Sequence, residues 1–236
     1  NSANWNLVKN GEQLDDSLTT TDWYYRSSYK NFSPILEERN LPPIRVTSYD
    51  IECISADGTF PQPDRVGDKI VSICATTNIY GSETIVRTDV LSLGSTKSIE
   101  GATVKSFNTQ KELLLAWRDT IKEIDTDIII GFNIFGFDNT YNRVKSLQPD
   151  VNCGKGFSKM SRLINHECEF KNHRMSSSGT GDNSMDFFVQ PGREEFDIMK
   201  LIQQEMALTQ YSLDKCAEEI MKTSVTVDWY VENELY

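Results

Sequence analysis

The run Thr126-Asp127-Ile128-Ile129-Ile130-Gly131 constrains this chain most. It is short and nearly continuously apolar, the mark of a strand buried on both faces. Such a strand needs covering layers, which points to an α/β domain. The segment before it supplies one layer. Thr109-Gln110-Lys111-Glu112 is a capping box, in which the Thr hydroxyl and the Glu carboxylate each satisfy a free amide of the first helical turn. Leu113, Trp117, Ile121 and Ile124 then recur at helical spacing as one apolar stripe.

Upstream, the period is two. Ile44 to Cys53 alternates, with Ile44, Val46, Ser48, Asp50 and Glu52 on one side. Asp57-Gly58, Pro61 and Pro63 then make a loop. Lys69–Thr77 and Glu83–Leu91 are β-branched runs around Asn78–Ser82 and predict a hairpin. Thr103–Phe107 is a fourth strand. Asp138 to about Leu147, Phe196–Glu205 and Leu213–Met221 predict helices, with Leu213, Cys216, Ala217 and Ile220 sharing a face in the last. The order β-β-β-β-α-β-α predicts a mixed sheet flanked by helices. Residues 151–190 are the least regular, with a Ser/Gly-rich turn at 176–181 that suggests a protruding hairpin. Residues 1 to about 40 are polar and irregular, with aromatics at Trp23, Tyr24, Tyr25 and Tyr29. Leu41-Pro42-Pro43 marks a boundary, because paired prolines force extended chain.

Composition narrows the function. Asp and Glu number 35 against 24 Lys and Arg, a net charge of −11. A module held to DNA mainly by phosphate contacts would be basic. A metal-dependent nuclease, which gathers carboxylates, is not excluded. No apolar stretch approaches the ~20 residues that span a bilayer. The chain starts without Met or a signal pattern, so an internal fragment is expected. Five Cys without a CxxC pair suggest reduced thiols and an intracellular setting.

Asp50 and Glu52 stand two apart in the first core strand, so both carboxylates face one way. Two adjacent anions repel. Either this face is simply solvated, or a divalent cation such as Mg²⁺ or Mn²⁺ offsets the repulsion with oxygen ligands. A second segment, Gly131 to Tyr141 (GFNIFGFDNTY), lies where the buried strand ends and a helix begins, the usual ligand end of an open α/β sheet. Asp138 suits an N-cap there. Phe132, Phe135 and Phe137 suit core packing.

Together, Asp50-Ile51-Glu52 and Asn133-x-x-x-Phe137-Asp138 resemble the first two exonuclease motifs of B-family DNA polymerases. Arg45–Cys53 continuing to Gly58-Thr59-Phe60-Pro61 looks like the delta-type and large-DNA-virus members. So do Gly192-Arg193, Phe196-Asp197-Ile198-Met199 and Leu208-Thr209-Gln210-Tyr211-Ser212-Leu213. The resemblance covers roughly residues 44–222. It implies an RNase H-like (DnaQ-like) exonuclease fold over 44–236 and the end of the polymerase N-terminal domain over 1–43. It implies 3′→5′ proofreading hydrolysis of single-stranded or frayed DNA. Asp50, Glu52 and Asp138 would be the catalytic carboxylates and would bind two Mg²⁺ or Mn²⁺ ions. Asn133, Phe137 and Tyr141 would bind substrate. The family's third motif, Tyr-x-x-x-Asp, is expected beyond Tyr236. Tyr230-Val231-Glu232-Asn233-Glu234 matches it poorly, so this piece alone is expected to be weak or inactive.

The implied partners are DNA, the palm, fingers and thumb domains, and a sliding clamp, with no membrane. The implied location is the nucleus or a viral replication compartment. A stand-alone RNase H-like nuclease and an inactive scaffold are the alternatives. Cys153, His166, Cys168 and His173 cluster, but their spacing matches no ordinary zinc pattern. Lys155, Lys159, Arg162, Lys171, His173 and Arg174 make the same region locally basic, either as a solvated face or as a DNA-facing loop.

Overall fold

The computed structural model describes residues 5–7, 12–13, 25–26, 28–34, 42–164, 166–177 and 181–221. Trp23, Tyr24 and the Tyr230–Glu234 stretch lie outside these residues. Near the start, β1 (Trp5–Leu7) pairs antiparallel with β4 (Phe32–Pro34), and β2 (Glu12–Gln13) with β3 (Tyr25–Arg26).

The centre is a six-stranded sheet. Its strands are β5 (Arg45–Ile54), β6 (Lys69–Ile79), β7 (Ile85–Leu93), β8 (Thr103–Phe107), β9 (Ile128–Gly131) and β12 (Glu194–Asp197). The spatial order is β12-β9-β5-β6-β7-β8. β5, β6 and β7 run antiparallel, while β12–β9, β9–β5 and β7–β8 are parallel pairs. The expected mixed sheet is therefore present. Thr47, Tyr49 and Ile51 are buried on one face of β5, and Asp50 and Glu52 are exposed on the other.

Helix α1 (Gln110–Ile124) closes the buried face with Leu113, Leu114, Trp117 and Ile121. Its capping box forms as expected: Glu112 N donates to Thr109 Oγ1 at 3.2 Å, and Thr109 N donates to Glu112 Oε2 at 3.0 Å. Helix α2 (Asp138–Leu147) starts and ends where the sequence places it. The irregular region holds a hairpin of β10 (Glu169–Ser177) and β11 (Gly181–Val189).

Two expectations need correction. Phe196 and Asp197 do not begin a helix. They finish β12, and α3 (Ile198–Glu205) starts after them. Parallel pairing with β9 outweighs the local helical pattern there. In α4 (Leu213–Met221) only Cys216 of the expected face is buried, while Leu213 and Ile220 are exposed.

Candidate active site

Strands β12, β9 and β5 are parallel, so their carboxyl ends meet on one edge. Ligand sites of open sheets form at such edges. β9 pairs with β5 only as far as Ser48↔Ile130. Beyond that, no strand among the described residues pairs with β5 on this side, and Asp138 takes the place. Its Oδ1 accepts a hydrogen bond from Ile51 N at 3.1 Å, on the residue between Asp50 and Glu52.

Gly131 is required at the turn out of β9. A Cβ there would lie 2.7 Å from the Tyr49 carbonyl oxygen and against the Ile134 side chain. The chain then reverses through Asn133, whose φ is 61°. Asn adopts this left-handed conformation more readily than most residues. The Asn133 carbonyl accepts from Gly136 N and Phe137 N, both at 3.0 Å. Asp197, the last residue of β12, fixes the outside of this loop. Its carboxylate accepts from Asn133 N at 3.0 Å and Phe135 N at 2.9 Å, and it also caps α3 through Met199 N at 2.9 Å.

Asp50, Glu52, Asn133, Phe137 and Asp138 line one open pocket with Phe60, Pro61, Phe132, Met199 and Tyr211. Phe137 meets Phe60 edge-on, with ring centroids 5.6 Å apart. Tyr141 behaves differently from the expectation. It is fully buried behind Phe137, at a centroid distance of 5.2 Å, and does not line the pocket. One helical turn past Asp138, it faces the core with Asp138 itself. Asp138 is also not an N-cap. Phe137 holds that position without a side-chain cap, and Asp138 is the first helical residue.

The electrostatics concentrate on Asp138. It is 2% exposed. Burial pushes its carboxyl up to about 7, and repulsion from Asp50 adds to the rise. Asp50 is also raised, by the protein that surrounds it at the rim. Neither Lys nor Arg is among the main causes of either shift. A hard divalent cation with oxygen ligands would relieve both strains.

Asp50 and Asp138 fit such an ion as a pair. Glu52 lines the same pocket, but among the described residues no three His, Cys, Asp or Glu side chains form a group that could hold a metal ion. The Cys/His cluster forms no such group among these residues either. Cys153 and Cys168 are core residues, their thiols pushed up to about 11 by burial.

Sequence reasoning missed three participants. Asp197 was visible only as part of a resemblance, because its role depends on β12 pairing with β9. Glu195, one residue earlier, accepts from Phe188 N at 3.1 Å, and burial pushes it up to about 7. Asp186 of β11 binds Thr140 Oγ1, and its carbonyl accepts from Asn139 Nδ2 at 3.1 Å, which seats the hairpin on α2.

The comparisons with known proteins give the family of the chain. The family described as "DNA polymerase family B, exonuclease domain" matches residues 1–216. The chain is 32% identical over 189 residues to the DNA polymerase delta catalytic subunit of Glycine max, covering 80% of this chain and 17% of that protein. It is 30% identical over 196 residues to the delta catalytic subunit of Dictyostelium discoideum, covering 83% of this chain and 17% of that one. It is 34% identical over 163 residues to the DNA polymerase of Pyramimonas orientalis virus, covering 69% and 13%. The chain thus spans less than a fifth of the curated relatives it matches.

Proposed function

This chain belongs to the exonuclease domain family of the B-family DNA polymerases, and from that membership we propose that it hydrolyses the 3′-terminal phosphodiester of single-stranded or frayed DNA, as the proofreading part of a longer replicative polymerase. The observation that carries the proposal is Asp138. Its carboxylate is buried against the β5 backbone, at the carboxyl edge of the sheet, where burial and repulsion from Asp50 raise it and no basic group is a main cause of the shift.

Exonuclease domains of this family are metal-dependent nucleases. Mg²⁺ or Mn²⁺ ions, two in the mechanism we favour, would supply an activated water and charge stabilisation for the leaving 3′-oxygen. Asp50, Glu52 and Asp138 are the carboxylates we assign to hold them. Asp138 needs no reorganisation for this, since Ile51 N already fixes one of its oxygens. Glu52 must close on the pair. Asn133 supplies a polar edge to the pocket, and Phe137 with Phe60 supplies an apolar wall. Stacking on such a wall tolerates any base, as proofreading demands. Tyr141 backs Phe137 from the core rather than touching DNA. The reading brings with it DNA and the remaining polymerase domains as partners. It also brings a nuclear or viral replication setting. No helix among the described residues is long and apolar enough to cross a membrane.

The test is Asp50→Ala in the polymerase that carries this domain. The 3′→5′ rate should fall by about 10³ or more, because metal-assisted charge stabilisation is worth several kcal/mol and each 1.36 kcal/mol is tenfold. Polymerisation should persist. A variant that unfolds while its hydrolysis rate per folded molecule stays unchanged would make Asp50 structural and defeat the assignment.

A further inference from the structure

Lys145 is fully buried, yet its ammonium belongs to no ion pair among the described residues. A buried charge is costly unless its donors are satisfied. Here they are. Nζ donates to the Arg65 carbonyl at 2.9 Å and to Gln148 Oε1 at 3.1 Å, and it lies 5.7 Å from the centre of the Tyr141 ring. The Gln148 amide donates in turn to the Pro63 carbonyl at 2.8 Å. Both carbonyls belong to the loop between β5 and β6.

Among the described residues, the other side-chain hydrogen bonds of that loop lie within it, and Phe60 adds one ring contact to Phe137. Buried Asp68 accepts from Ala56 N at 3.0 Å and Gln62 N at 2.8 Å. Arg65 binds Asp57 and Thr59, at 2.8 and 2.7 Å. These bonds shape the loop without fixing where it stands relative to α2. Phe60 at its crest is 68% exposed, so core packing does not place it either. Lys145 and Gln148 are the polar ties to α2. Lys145 shares a face of that helix with Asp138 and Tyr141, two turns beyond the carboxylate.

We propose that Lys145 is a positioning residue of the exonuclease site. From α2 it holds the 56–65 loop so that Phe60 stands against Phe137 and completes the apolar wall beside Asp138. The proposal rests on the exonuclease reading above for its substrate, but the tether itself does not.

Two measurements on Lys145→Met separate these levels. In the 236-residue chain, amide hydrogen exchange over residues 56–65 should accelerate while exchange in α1 and β6 stays as in the parent. In the polymerase, KM for a single-stranded 3′ end should rise about tenfold, the order expected for loss of one stacked base, with kcat largely kept. Phe60→Ala should raise KM similarly in the parent background and add little in Lys145→Met. A merely structural lysine would lower the active fraction, and so apparent kcat, without this non-additivity. If Lys145→Met does not fold, Gln148→Ala, at a partly exposed position, should show the same changes at smaller size. Unchanged exchange over 56–65 in a folded variant overturns the tether. Faster exchange with unchanged KM overturns the positioning role. A parent polymerase with no activity on 3′ ends would refute the exonuclease reading and leave the tether to the exchange result.

Discussion

At position 138 a carboxyl has been moved from water to a site that disfavours its charge. An Asp in an unfolded chain titrates near 3.9, while folded Asp138 is pushed up to about 7. Below about pH 4 both states hold the proton, and this group costs the fold nothing. As pH rises from about 4 to about 7, the unfolded chain releases its proton first, so stability falls, and it levels off above that range. Glu195, also pushed up to about 7, adds to the same trend. In EDTA, urea midpoints should therefore drop between pH 4.5 and pH 8. Asp138→Asn keeps an oxygen for Ile51 N and removes the charge. It should flatten this dependence and be more stable than the parent at pH 8. A less stable Asp138→Asn at pH 8 would mean that the hydrogen bond, not the charge, dominates.

The loop from Gly131 to Phe137 is held by neighbours distant in sequence. Gly131→Ala must push β9 away from the Tyr49 carbonyl, since its Cβ would sit 2.7 Å from that oxygen. Overpacking of this kind costs about 1–3 kcal/mol. A lower denaturant midpoint at unchanged slope would record it. Asp197→Ala should cost at least about 2 kcal/mol, because it strips partners from the amides of Asn133 and Phe135 and uncaps α3. Its exonuclease rate should also fall, although Asp197 lines no wall of the pocket. An active variant with parent-like stability would show that the loop holds itself.

Over the whole chain, 35 acidic residues against 24 basic ones leave a net charge of −11. A cation that binds only the folded site stabilises the whole fold by linkage. At ten times its Kd, Mn²⁺ should contribute about 1.4 kcal/mol. The melting temperature of the 236-residue chain should thus rise with Mn²⁺, and Asp50→Ala should remove the rise. Equal rises in both would locate the binding elsewhere. The sequence by itself determined the α/β class, the capping box of α1, the extent of α2, and the shared strand face of Asp50 and Glu52. Each of these follows from local period or local hydrogen bonding, which travel with the chain. It also picked out Asp138, Asn133 and Phe137 as pocket residues, but through a resemblance rather than through spacing. Only the tertiary structure decided that Asp138 answers Ile51 N instead of capping its helix, because β9 stops short of the end of β5. Only it set Tyr141 behind Phe137, made Phe196 and Asp197 a strand end, and turned Lys145 inward to two loop carbonyls. Apart from Tyr141, which packs on Phe137 four residues earlier, those outcomes depend on partners about 60 to 90 residues away in the chain, and no local pattern carries the cost of leaving such groups unpaired.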